Sequence, residues 1–199
     1  MGEIAERYQR RADAFEAKAA AVRPEQWAAQ SPCAEWDARG VVAHIVEMHA
    51  VMLRAFDRSL PAEPSMADDP LGAFRAARAA VEAILHDPAE AEREVETPTG
   101  KMTAEQHIDG VASADMVLHG WDLAKATGQD ATIDPAEVAA TWAEFQKMPA
   151  ETLDMLRTPE AFGPGVEVFG REVKVPDDAP LQDRLLGTVG RDPNWTAPA

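Results

Sequence analysis

The sequence predicts an all-α fold: a four-helix bundle with an extra helix and an irregular C-terminal segment. Three observations carry that prediction. Apolar residues recur at steps of three and four in successive windows, the period of helices that bury one face. Helix-opening signals, an Asp cap with or without a following Pro and one Thr-x-x-Gln capping box, stand ahead of those windows. Alanine makes up about a fifth of the 199 residues and aromatics only 6%, which suits closely packed helices better than sheets.

The first helix is expected over 3–22, where Ile4, Tyr8, Ala12, Phe15 and Ala19 share a face. It stops before Pro24, and Trp27 follows a short turn that returns its indole to the bundle. Asp37 caps a second helix, expected over 38–59, with Val41, Ile45, Met48, Met52 and Phe56 as its apolar stripe. Residues 61–68 carry two prolines and no periodicity, so they read as a surface loop. Asp69-Pro70 opens a third helix ending near His86. Residues 93–97 read as an extended strand or a long connection. Thr103-Ala104-Glu105-Gln106 opens a fourth helix that Gly128 closes in a left-handed conformation. Asp134-Pro135 opens a fifth, interrupted at Pro149.

Beyond Ala161 the texture changes. Phe162-Gly163-Pro164-Gly165 followed by Val166, Val168, Val173 and Val175 suggests turns and a short hairpin, and 181–187 adds a last helical turn or two. The expected organisation is a helical-bundle metal-binding domain over 1–160 and an extension over 161–199 that packs on it.

Charge narrows the function classes. With 35 acidic and 19 basic residues the chain carries a formal charge of −16, so phosphate backbones and anionic lipid surfaces are repelled. Neither nucleic acid nor membrane is an expected partner. The first eleven residues lack the apolar run of a signal peptide, no stretch is long enough to span a bilayer, and one cysteine cannot form an internal disulfide. A cytoplasmic, reduced protein is expected.

Polar side chains stand where apolar ones belong. His44 lies three residues after Val41 and four before Met48, so its imidazole projects toward the face expected to be buried. Asp115 and His119, four apart, share a face of the fourth helix with Val111 and Leu118. Two imidazoles and one carboxylate from facing helices form a donor set for a divalent transition metal with open coordination positions. The plainer readings are a satisfied core histidine at His44 and a local hydrogen bond between Asp115 and His119.

Other candidates are less well placed. His49 sits about 140° around the helix from His44, too far to share an ion, whereas Glu47 is closer in direction but suits a solvated face. His107 lies about two turns before Asp115, and His86 ends a helix where the dipole alone favours a cation. Cys33 precedes a helix start that can lower a thiol pKa, but has no base adjacent in the chain, so it reads as packing. Asp122, three after His119, can accept a proton from that ring's other nitrogen or serve as a structural hydrogen-bond partner.

Several strings together carry a resemblance. Ser31-Pro32-Cys33-Ala34-Glu35-Trp36-Asp37 with His44, then His119-Gly120-Trp121-Asp122-Leu123-Ala124, then Leu181 to Gly187 leading to Gly190-Arg191-Asp192-Pro193, resemble an actinobacterial family of small metal-binding proteins. That family is related to the N-terminal domain of mycothiol-dependent maleylpyruvate isomerase, in the DinB-like superfamily. The resemblance implies a DinB-like four-helix bundle and a metal, zinc or nickel, on His44, Asp115 and His119. It also implies mycothiol as a possible cosubstrate. The isomerase pattern has glutamate where this chain has Asp115.

The leading expectation is a metal-dependent enzyme of the isomerase or thiol-transferase type, in which the ion activates a low-molecular-weight thiol toward an electrophilic substrate. Arg184 and Arg191 are candidates for holding an anionic substrate. The alternative is a non-catalytic metal-binding helical bundle, structural or stress-related. Pairing of two copies stays open.

Overall fold

Local chemistry sets most element boundaries in the computed structural model, which describes residues 2–97, 100–161 and 167–198. Helix α1 spans Glu3–Ala20, and a 3-10 turn follows at Pro24–Gln26. Asp37 accepts the Gly40 amide at 2.8 Å and starts α2, Ala38–Arg54. Asp69 does the same for Gly72 at 2.9 Å, with Pro70 as first residue of α3, Pro70–Leu85. A short α4, Pro88–Ala91, leads into β1, Glu94–Thr97, which pairs antiparallel with β2, Gly100–Thr103, Val95 opposite Met102. Of the two options for 93–97, the strand is the one formed.

The Thr103 capping box is present: the hydroxyl accepts the Gln106 amide and the Gln106 side chain accepts the Thr103 amide. It opens α5, Ala104–Ile108, which runs through a π turn, Asp109–Ser113, into α6, Ala114–Thr127. Gly128 closes α6 at φ 69°. Further on come α7, Pro135–Lys147, started by Asp134; α8, Ala150–Leu156, after Pro149; and α9, Leu181–Thr188.

Two compact units result, the first reaching to Ala131 and the second spanning Thr132–Thr196. In the first, α2 packs on α3 and α6, and α1 packs on the same two helices from the other side, a four-helix bundle. Tyr8, Phe15, Ile45, Leu53, Phe74, Ile84, Ile108, Met116 and Leu123 fill its core. In the second, α7 packs on α9, Phe145 meets Phe169 at 5.5 Å, and the Arg157 guanidinium donates to the Thr188 carbonyl at 2.7 Å. Helix α7, the fifth of the expected helices, belongs to this second unit. Gly190 has φ 84°, and a Cβ there would come within 2.5 Å of the Gly170 backbone, so the turn requires glycine on both counts.

Three expectations are corrected. The second helix ends at Arg54 rather than near 59, because Asp57 takes φ 54° and the Arg58 amide turns back to the Leu53 carbonyl at 3.1 Å. The hairpin expected through Val168, Val173 and Val175 is absent among the described residues: the Val173 amide donates to the Gly187 carbonyl of α9 instead. Residues 162–166 of that expectation lie outside the described residues.

The fourth helix, expected as one α-helix, contains the π turn. Core positions Ala104, Ile108, Ala112 and Met116 advance by steps of four, each of which drifts about 40° on a regular α-helix. The wider π turn absorbs that drift and keeps them on one line. From α1, Arg7 clamps Asp109 in a two-pronged ion pair at 2.9 and 2.6 Å, and buried Arg11 donates to Ser113 Oγ at 3.2 Å.

Candidate metal centre

The π turn has a consequence for its neighbours in sequence. With Met116 on the core line, Asp115 is turned toward the α2 edge of the bundle and His119 follows it one turn later. His44 comes from α2, which packs on α6. Its Nε2 lies 3.0 Å from Asp115 Oδ2, and His119 Nε2 lies 3.9 Å from Asp115 Oδ1. The rings of His44 and His119 meet edge to face, centroids 4.7 Å apart. One donor atom from each of the three residues falls within 4.8 Å of the others. Donors around one zinc-sized ion lie roughly 3–3.5 Å apart, so modest side-chain rotation brings these three to one centre.

The surroundings prepare the donors. His119 Nδ1 donates to Asp122 Oδ2 at 2.8 Å, and Asp122 is fully buried. That bond fixes the tautomer and turns the lone pair of Nε2 toward His44 and Asp115. His44 side-chain exposure is 21% and Asp115's is 28%, against 8% for His119, so the site opens at the rim with His119 at its floor. The His44 imidazole is therefore half-buried, not buried as its position after Val41 led one to expect. Two imidazoles and a carboxylate suit a divalent transition metal and leave positions for further ligands.

Sequence reasoning missed Trp36. Its indole stacks on His44, centroids 4.6 Å apart and 27° between planes, and tilts against His119 at 5.4 Å. A Cβ at Gly40 would lie 3.0 Å from Trp36 Cβ, so glycine in the first turn of α2 leaves space for the indole. Only its place in the Cys33–Asp37 string hinted at a role.

The remaining candidates are elsewhere or do something else. Glu47 is exposed, and His86 is exposed at the end of α3. His107, on α5, has its pKa lowered by burial and joins neither cluster of donors found among the described residues. His49 faces the core, where its Nδ1–H donates to the Ile45 carbonyl at 2.7 Å and its Nε2 accepts from Tyr8 Oη at 2.7 Å. Burial pushes its pKa down to about 4, so it is neutral. In the second unit, the Arg184 guanidinium lies 4.9 Å over the Trp142 ring, and Arg191 is half-buried. Cys33 Sγ lies 3.4 Å from Asp122 Oδ2, in contact with the site's support and not merely packed. Among the described residues no helix is long and apolar enough to cross a membrane.

The family model described as mycothiol maleylpyruvate isomerase N-terminal domain matches residues 8–124, which run from within α1 to within α6 and include His44, Asp115 and His119. Two uncharacterized proteins of Mycobacterium tuberculosis, MT0763 of strain CDC 1551 / Oshkosh and Rv0738 of strain ATCC 25618 / H37Rv, are each 31% identical over 188 residues. The match covers 92% of this chain and 95% of each relative. No solved structure is a significant match.

Proposed function

The chain belongs to the mycothiol maleylpyruvate isomerase N-terminal domain family, and on that premise we propose that it is a metal-dependent enzyme of the isomerase or thiol-transferase type, using a low-molecular-weight thiol such as mycothiol. The observation that carries the reading is the convergence of His44, Asp115 and His119 from two helices, with Asp122 orienting the innermost ring. These three residues would hold the ion. A divalent metal bound there supplies an open position at which a thiol loses its proton near neutral pH.

The chain's own residues do the rest. Asp122 holds His119 in the tautomer that presents Nε2. Trp36 holds the plane of His44 by stacking and covers one side of the site with an apolar wall, which keeps water from that side. Asp115 closes the pair of rings from α6, already within hydrogen-bond distance of His44. The half-exposed rim at His44 and Asp115 is where a thiol and its electrophilic partner approach.

The test is metal analysis followed by thiol titration. Wild-type protein incubated with zinc or nickel should hold about one ion per chain through this triad. His119→Ala should lose that ion, and His86→Ala should keep it. Equal loss from both would refute the assignment. A cobalt-loaded protein whose visible spectrum shifts on adding mycothiol supports thiol activation. A spectrum indifferent to thiols, combined with a melting temperature that falls on chelation, would instead make the ion a staple between α2 and α6.

A further inference from the structure

The His119 ring has a second nitrogen, and a second set of donors surrounds it. Nδ1 lies 2.8 Å from Asp122 Oδ2, and Cys33 Sγ lies 3.4 Å from the same oxygen. Donor atoms of Cys33, His119 and Asp122 all fall within 4.8 Å of one another. The loop that delivers the thiol is pinned: the Gln30 side-chain nitrogen lies 3.0–3.2 Å from the carbonyls of Ser31, Cys33, Ala34 and Trp36, among which its two N–H bonds are shared, and the Cys33 amide donates to buried Ser31 Oγ at 3.2 Å. Cys33 is thus held against α6 and not on a wandering segment.

We propose that Cys33, Asp122 and Nδ1 of His119 form a second cation site, for a thiophilic divalent ion, which shares the His119 ring with the His44–Asp115 side. The proposal rests on the reading above only in that one ring serves both sides.

Distance, donor chemistry and charge each support it. Nitrogen and oxygen bond a zinc-like ion at about 2.1 Å and sulfur at about 2.3 Å, so neighbouring donors on one ion lie roughly 3–3.7 Å apart. The 2.8 and 3.4 Å separations from Asp122 Oδ2 are already close to that, and the thiol and the ring lie within 4.8 Å of each other. A sulfur donor beside an imidazole and a carboxylate makes this side softer than the His44–Asp115 side, which has no sulfur, so the two sides rank metals differently. With both positions filled, the Asp115 and Asp122 carboxylates, the Cys33 thiolate and the His119 imidazolate carry four negative charges, which two divalent ions cancel. Neutrality matters at a ring and a carboxylate shielded from water.

The step balances in protons. The S–H bond of Cys33 and the Nδ1–H bond of His119 break, sulfur–metal and nitrogen–metal bonds form, and two protons pass to solvent; Asp122 exchanges hydrogen-bond donors for the ion. No oxidant or reductant is involved.

Titration of the whole chain with cadmium, and separately with cobalt, tests this. Two ions per chain are expected, one of them accompanied by thiolate-to-metal charge-transfer absorption. That absorption must come from Cys33, the one cysteine in the sequence. Calorimetry in buffers of different ionisation enthalpy should show two protons released with that ion. Cys33→Ser and Cys33→Ala should abolish the absorption and one equivalent while keeping the other; two variants guard against a folding defect in either, which melting curves would reveal. His44→Ala should do the reverse, keeping the absorption and losing the other equivalent. Saturation at one ion per chain, with or without the thiolate absorption, overturns the shared-ring arrangement. So does charge-transfer absorption that appears only with dimers on a sizing column, since Cys33 then bridges two copies. Failure of the first reading shows separately, as a His44→Ala protein that retains both equivalents.

Discussion

His44 and His49 ride on the same helix and meet opposite fates. His49 faces the centre of the bundle, between Tyr8 and Phe74, with a backbone carbonyl on one nitrogen and a phenol on the other. Both ring nitrogens are committed inside the fold. His44, near the rim, turns Nε2 to a carboxylate that is itself partly exposed and shared with a second imidazole. The lesson is that burial alone does not mark a functional histidine. What marks it is a nitrogen aimed at other donors in place of a partner that ends the chain of hydrogen bonds.

That contrast can be broken first at its buried end. His49→Ala removes a fully buried ring and leaves the Tyr8 hydroxyl in the core without its partner, so unfolding free energy should drop by about 3 kcal/mol. Urea denaturation measures the loss. Zinc stoichiometry of the folded fraction should stay as in the wild type. Loss of the ion in this variant would mean that the two histidines are not independent.

Acid sharpens the same comparison. Burial, opposed by the Ile45 carbonyl and the charge of Asp115, depresses the His49 pKa from 6.5 to about 4. The unfolded chain therefore binds a proton there before the folded one does. Its contribution is complete above pH 6.5 and is lost progressively as pH falls to 4, up to about 3 kcal/mol in all. Unfolding free energy measured across that window should slope downward in the wild type, and His49→Gln should flatten the slope. An unchanged slope would assign it to other groups.

How much of this could be read beforehand follows from range. Asp37, Asp69, Thr103 with Gln106, Gly128 and Asp134 act on amides two or three residues away or on their own backbone, so the starts of α2, α3, α5 and α7 and the end of α6 were legible. His44, Asp115 and His119 were legible as donors facing inward, and the structure brings them together. The π turn was not legible, because it answers to packing across the bundle and to Arg7 and Arg11 on another helix, a hundred residues away in sequence. Nor was Trp36, whose indole comes from a loop and is defined only by the rings it covers. The choice of which α2 histidine is buried also depended on α1, since Tyr8 supplies the partner that lets His49 lie inside.

At the floor of the site, the support of His119 comes next in size. Asp122→Asn keeps the shape but can offer an amide where the carboxylate accepted the Nδ1 proton. Zinc affinity at the His44–Asp115–His119 centre should weaken by about 10–100-fold, the usual consequence of removing such a partner, while that centre still fills with one ion at saturating metal. Competition with a coloured chelator reads this range. Affinity equal to wild type would mean that His119 needs no orientation from Asp122.

The smallest effect concerns the acid between the rings. Asp115→Glu lengthens the side chain by one methylene and restores the residue that the isomerase pattern carries there. Asp115 Oδ2 already reaches His44 at 3.0 Å, and the side chain is 28% exposed, so the longer carboxylate can fold back over the rim without displacing core atoms. Affinity should hold or tighten, with a change under ~10-fold, below that expected at Asp122. Asp115→Asn, which keeps the size and removes the charge, should weaken binding more than the glutamate variant does. The reverse order would show that reach, not charge, governs this position, and would make the close approach of α2 and α6 the feature that admits an aspartate.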